Sequence, residues 1–67
     1  MPSSAVRNID YDEATKTLWV TFVPTGKRYA YRRVPLDVYD GFRTAFSKGT
    51  FFNRHIRDQF DYDLVEE

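Results

Sequence analysis

Basic side chains cluster in the middle of the chain, shortly after its single tryptophan, Trp19. Lys27, Arg28, Arg32 and Arg33 fall within seven residues and have no acid among them. Cationic groups bind phosphates and an indole ring can stack on a nucleobase, which is the combination that single-strand binders use. We therefore expect these five side chains to form a contact with a single-stranded nucleic acid.

Two further arginines, Arg54 and Arg57, flank His55 later in the chain and are candidates for the same contact. Sequence does not show whether they lie beside the first cluster. The tryptophan also has a second interpretation, in which Arg32 lies over the Trp19 ring in a cation–π pair that merely shields it.

Side chains for catalysis are scarce. His55 is the only histidine, and cysteine is absent, which excludes disulfides and thiolate metal sites. Asp10, Asp12 and Glu13 resemble a polar turn, because they lack the further ligands and the spacing of a calcium loop. Hydrolysis would require His55 within hydrogen-bond reach of a carboxylate or hydroxyl in a cavity. The sequence predicts a chain that is not an enzyme and holds no metal or cofactor.

Three predicted strands position the first basic cluster. They cover about residues 4–11, 17–23 and 28–34, and the second is β-branched or aromatic at every position except Leu18. If Thr25 and Gly26 form a two-residue hairpin loop, Val20 lies opposite Tyr31.

Side chains alternate between the two faces of such a sheet. The core face then carries Leu18, Val20, Phe22, Tyr29 and Tyr31. The opposite face carries Trp19, directly across from Arg32, together with Arg28. A loop of odd length would exchange the two faces.

Two helices follow Pro35, which suits a first helical position. Apolar residues at three- and four-residue spacing predict a helix through Phe46 and Lys48, with Gly49 as its left-handed terminator. Thr50 is expected to cap a second helix whose apolar stripe is Phe52, Ile56 and Phe60. The predicted fold class is α+β: a three-stranded antiparallel β-sheet followed by two helices, in the order β-β-β-α-α.

The formal net charge of zero conceals an uneven distribution. Residues 1–57 carry all ten bases and five acids, whereas residues 58–67 form an acidic tail with the other five acids. Such a tail can neutralise the basic body by folding across it. The length allows one domain, 1–67. The absence of a membrane-length apolar run and of a signal-peptide core predicts a cytoplasmic location without membrane contact.

Several short motifs together resemble the KTSC domain family, which is named for the C-termini of lysyl-tRNA synthetases. The residues that carry the resemblance are Ser3-Ser4, Asp10-Tyr11-Asp12, Leu18-x-Val20-x-Phe22, Gly26, Tyr29-Ala30-Tyr31, Val34-Pro35, Val38-Tyr39, Ala45, Ser47-x-Gly49, Phe51-Phe52-Asn53 and Ile56-Arg57. The resemblance implies a bacterial or phage-borne single domain with no established activity and a conjectured role in RNA binding. It marks Tyr29, Tyr31, Asn53 and Arg57 as motif residues, the first three with a structural role. Asp10 departs from the glycine expected before the Tyr-Asp pair.

Together with the resemblance, which implies tRNA or single-stranded RNA as the partner, these features predict a small non-enzymatic module that binds RNA through a basic sheet face. The alternative is a protein-interaction module without a nucleic-acid role, which docks a partner through Trp19 or an unpaired strand edge.

Overall fold

Six elements follow one another in the computed structural model, which describes residues 6–23 and 25–65. They are β1 (Val6–Asp12), β2 (Thr17–Phe22), β3 (Arg28–Tyr31), α1 (Leu36–Thr44), α2 (Lys48–His55) and β4 (Tyr62–Val65). The first strand was expected to begin near residue 4, and that start lies outside the described residues, as do Ser3, Ser4, Pro24, Glu66 and Glu67.

The antiparallel sheet has the strand order β1-β2-β3-β4. The α+β class is confirmed, but the prediction of three strands was wrong, since part of the acidic tail forms β4. Tyr62 lies opposite Tyr31 and Asp63 opposite Ala30. The Arg32 N–H donates to the Asp61 carbonyl at 2.9 Å, which continues the β3–β4 pairing beyond the strand.

The turn between β2 and β3 is longer than expected. The Gly26 N–H donates to the Phe22 carbonyl at 2.8 Å, and the Phe22 N–H donates to the Lys27 carbonyl at 3.0 Å. Gly26 has φ +68°, a conformation that glycine adopts without steric cost. The predicted register is therefore wrong by two positions, and Val20 pairs with Tyr29. Because the shift is even, each side chain keeps its predicted face.

The boundary between the helices also differs from the prediction. Residue Ala45, not Gly49, ends α1, and its N–H donates to the Phe42 carbonyl at 3.2 Å. Ser47 caps α2, because its hydroxyl accepts the Thr50 N–H at 3.3 Å. Gly49 consequently lies inside α2. The Thr50 N–H lies in the first turn of α2 and has no backbone acceptor within the helix. Because the Ser47 hydroxyl accepts it, a new helix starts here in place of a continuation of α1.

Both helices pack on one face of the sheet and enclose the core. Its buried residues are Leu18, Val20, Tyr31, Val34, Phe42, Phe52 and Ile56. Gly41 allows the helices to approach, since a Cβ there would lie 3.1 Å from the Phe51 ring. Over β4 the helix layer is incomplete, which leaves Tyr62 and Leu64 exposed by 55% and 44%.

Candidate nucleic-acid interface

The face of the sheet that points away from the helices contains the predicted tryptophan site. We call it the outer sheet face, and its residues are Asp10, Trp19, Thr21, Arg28, Ala30, Arg32 and Asp63. Because of the register shift, Trp19 lies opposite Ala30 instead of Arg32.

Trp19 is half-buried at the centre of this face. The Arg28 guanidinium lies 5.5 Å from the centroid of the Trp19 ring, which is cation–π distance. The predicted shielding pair thus exists with Arg28 in the role expected of Arg32. Arg28 also lies 3.5 Å from a carboxylate oxygen of Asp10 on β1.

Arg32 has a carboxylate partner of its own. Its Nε donates to Asp63 of β4 at 2.8 Å, and both side chains remain more than half exposed. The acidic tail therefore reaches one end of the outer sheet face. On the outer sheet face, the charges of Asp10 and Asp63 offset those of Arg28 and Arg32. This face therefore lacks the excess positive charge that the sequence suggested.

Lys27 and Arg33 stand at the two ends of β3 and are both exposed. Within residues 6–23 and 25–65, neither makes an ion pair. Arg33 has φ +58°, a left-handed conformation that turns the chain away from the sheet.

The second basic group does not join the outer sheet face. Arg54 lies on α2, and Arg57 lies two residues beyond the end of that helix, on the helix side of the molecule. The Arg57 N–H donates to the Phe52 carbonyl at 2.9 Å, which holds Arg57 at the end of the helix. Asn53 is exposed on α2, and its side chain makes no hydrogen bond within the described part of the chain.

An open cavity of about 530 Å³ lies between β3, β4 and the end of α2, where the helix layer is incomplete. We call it the aromatic cavity, because five rings line it: Phe22, Tyr29, Tyr31, Phe52 and Tyr62. Thr25, Arg57 and Asp58 supply its polar lining. Sequence reasoning missed this site, since it depends on β4, although the alternation of Tyr62 and Leu64 with acids was the signal that could have revealed it.

The rings of the aromatic cavity contact one another edge to face or at a tilt. Tyr62 lies 5.6 Å from Tyr29 and 5.3 Å from Tyr31, centroid to centroid. Burial raises the pKa of Tyr31 to about 12, the neighbouring Tyr62 and Tyr29 act in the same direction, and Arg57 opposes them.

His55 lies on the other side of α2 from this cavity. Its ring is 4.5 Å from that of Phe51, and it lines a second cavity together with Asp37 and Arg54. The His55 side chain makes no hydrogen bond to any of the described residues. No group of three or more acids and histidines with metal-binding geometry occurs within residues 6–23 and 25–65.

A family model described as KTSC domain matches residues 2–60. The chain belongs to the KTSC domain family. Its fold agrees with the crystal structure of a KTSC domain protein from Yersinia pestis, with a TM-score of 0.87 and 31% sequence identity over 98% of this chain and 94% of that one.

This KTSC domain is also similar to parts of longer curated proteins. It is 37% identical over 62 residues to a lysine–tRNA ligase of Nostoc sp. and 35% identical over 62 residues to that of Trichormus variabilis. The matches cover 92% of this chain but only 11% of the length of each ligase.

The family motifs converge in the three-dimensional structure. Tyr29, Tyr31, Phe52 and Arg57, which come from three separate motifs, all line the aromatic cavity. In this KTSC domain the motif tyrosines hold the core and also shape an open surface. No helix among the described residues is long and apolar enough to span a membrane.

Proposed function

We propose that this KTSC domain is a non-enzymatic RNA-binding module that contacts its RNA through the outer sheet face. The observation that carries the proposal is the half-buried Trp19 on an open four-stranded sheet, with Arg28 over its ring and Arg32 nearby. A base can stack on such a ring while guanidinium groups bind the adjoining phosphates. The similarity to lysine–tRNA ligases suggests tRNA as the first RNA to test, in the cytoplasm.

The two ion pairs do not exclude phosphate binding. Exposed pairs contribute about 0–1 kcal/mol, and a phosphate can replace a carboxylate as the arginine's partner. Each replacement nevertheless leaves a carboxylate close to the RNA. We therefore expect modest affinity, and we expect Asp10 and Asp63 to weaken RNA binding.

The fluorescence of Trp19 measures this proposal directly, because it is the only tryptophan and lies in the proposed site. Titration with tRNA and with an unstructured oligoribonucleotide at low salt should quench it. Arg28→Ala with Arg32→Ala should weaken binding at least about tenfold, since hydrogen bonds to charged groups contribute about 1.5–3 kcal/mol each. Asp10→Asn with Asp63→Asn should tighten it several-fold.

Arg43→Ala is the matched control. Arg43 also makes an exposed ion pair, 2.6 Å from Asp40, but it lies on α1 away from the outer sheet face. Its removal should leave RNA affinity unchanged. Absence of RNA binding at low salt, or binding that the arginine double variant does not alter, contradicts the proposal.

A protein partner on the same face is the second candidate, and the charge balance favours it. Tryptophan and arginine are the residues that most often dominate protein interfaces, and paired charges of both signs suit a protein surface better than a polyanion. A pull-down from native lysate with and without nuclease separates the two candidates. A partner retained after nuclease treatment but lost with Trp19→Ala supports protein docking.

A further inference from the structure

We propose that the aromatic cavity binds a single nucleotide, with its base against the exposed Tyr62 ring and its phosphate on Arg57. This site lies on the helix side of the sheet and is distinct from the outer sheet face. Neighbouring β3 residues point to opposite sides, so that Tyr29 and Tyr31 line the cavity whereas Arg28 faces outward. The proposal therefore stands or fails independently of RNA binding at Trp19.

The size and lining of the cavity suit a flat aromatic ligand. Its volume of about 530 Å³ is that of a small-molecule site. Tyr62 is 55% exposed, so one ring wall is open to solvent and available for stacking. Because the Tyr62 ring already contacts those of Tyr29 and Tyr31, at 5.6 and 5.3 Å between centroids, a base would stack on the exposed side of the Tyr62 ring and not between the rings.

Arg57, the cationic residue at this cavity, indicates that the ligand also carries an anionic group. Arg57 is exposed, and among the described residues no carboxylate lies within ion-pair distance of it. It is close enough to Tyr31 to lower the pKa of that hydroxyl, whereas Asp58 raises it. A guanidinium group without a partner, beside an aromatic cavity, complements an anion attached to an aromatic ring, and phosphate fits its planar fork.

The remaining polar groups suit a base better than an apolar compound. Asp58 can accept hydrogen bonds from the N–H groups of a base, and the Thr25 hydroxyl can donate or accept them. An apolar ligand would remove these groups and Arg57 from water without replacing their hydrogen bonds, which is costly. A nucleoside monophosphate satisfies the rings, the cation and the hydrogen-bonding groups at once.

Amide NMR spectra of the ¹⁵N-labelled chain test the site with AMP, adenosine and inorganic phosphate as separate probes. AMP should shift the signals of Tyr29, Tyr31, Arg57 and Tyr62 and leave Trp19 unchanged. Adenosine should shift the same signals with weaker affinity. Phosphate alone should bind more weakly than either, because it lacks the stacking ring.

Arg57→Gln should weaken AMP binding at least fivefold without changing adenosine binding. Arg54→Gln is the matched control, three residues earlier on α2, since Arg54 lines the other cavity, and it should change neither. Tyr62→Leu should weaken AMP and adenosine alike, which tests the ring wall at an exposed position.

Three outcomes would overturn the proposal. The first is no shift at the cavity with millimolar AMP, and the second is equal loss of AMP binding in both arginine variants. The third is tighter binding of N-acetyl-tyrosinamide than of AMP, which would assign the cavity to an aromatic side chain of a protein. Quenching of Trp19 by RNA would be unaffected by any of these, so failure of the cavity leaves the outer sheet face as a separate result.

Discussion

At the scale of single residues, Trp19 shows how a small error in register changes chemistry without changing the fold. Alternation along β2 correctly predicted that Trp19 faces away from Leu18 and Val20, which are fully buried. The partner of the ring could not be predicted, because the length of the hairpin loop decides which arginine lies across from it. With the longer connection that the structure has, Arg28 lies over the Trp19 ring and Arg32 pairs with Asp63.

Tyr31 illustrates the cost of using tyrosine as a core residue. It is only 4% exposed, and burial raises the pKa of its hydroxyl to about 12 from 10.0. In the unfolded chain the hydroxyl loses its proton near pH 10, whereas the folded chain retains it until about pH 12. Tyr31 ionisation therefore favours unfolding as pH rises through this window.

We accordingly predict that Tyr31→Phe makes stability less sensitive to alkali. The contribution of the Tyr31 pKa shift to the free energy of unfolding is fully present below pH 10 and is lost as pH rises to about 12. Urea unfolding of both proteins across this range measures the difference, in which the titration of other groups cancels. Between pH 10 and about pH 12 the free energy of unfolding of the native protein should therefore fall relative to that of the variant. Parallel curves would mean that Tyr31 ionises equally in both states.

At the scale of elements, the start of α2 provides the sharpest test of local structure. Ser47→Ala should lower the free energy of unfolding by about 1 kcal/mol, because it removes the acceptor of the Thr50 N–H. Ser47→Asp should retain most of the stability, since aspartate is an equally good cap. Thermal or urea unfolding measures both changes.

Thr50→Ala is the control for the same prediction. Thr50 was the cap expected from sequence, but the structure places it inside α2, where its hydroxyl only accepts a hydrogen bond from the Ser47 hydroxyl at 3.0 Å. Its loss should therefore matter less. A larger effect at Thr50 than at Ser47 would contradict the observed helix boundary.

The elements with a strong local pattern were predictable, and β4 was not. Five of the six residues of β2 are β-branched or aromatic, and the spacing of Val38, Tyr39 and Phe42 indicates α1, so the local pattern was sufficient to place these two elements. In contrast, β4 has four residues, and its pairing with β3 involves positions about thirty residues away. The aromatic cavity was missed for the same reason, since Tyr62 reaches Tyr31 only through that pairing. Tyr29 and Tyr31 were interpreted as structural residues. They do pack in or against the core, but they also line the aromatic cavity.

At the scale of the whole molecule, charge is balanced locally as well as in total. The sequence suggested a basic body and an acidic tail, but the fold places Asp63 of the tail beside Arg32 and Asp10 of the body beside Arg28. An RNA that binds the outer sheet face must replace these carboxylates. This requirement has a measurable consequence for the dependence of binding on salt.

We predict that removing the two carboxylates makes RNA binding more sensitive to salt. Each phosphate neutralised on a single strand contributes about −0.7 to the slope of log K against log salt, so contacts from Lys27, Arg28, Arg32 and Arg33 give about −2.8 at most. In the native chain, carboxylates displaced from Arg28 and Arg32 take up cations, which offsets part of the release. Asp10→Asn with Asp63→Asn should bring the slope close to that limit, while Asp40→Asn, at the Arg43 pair on α1, should leave it unchanged. Equal slopes in all three proteins would show that Arg28 and Arg32 do not exchange their carboxylates for phosphates, and the outer sheet face would then not be the RNA contact.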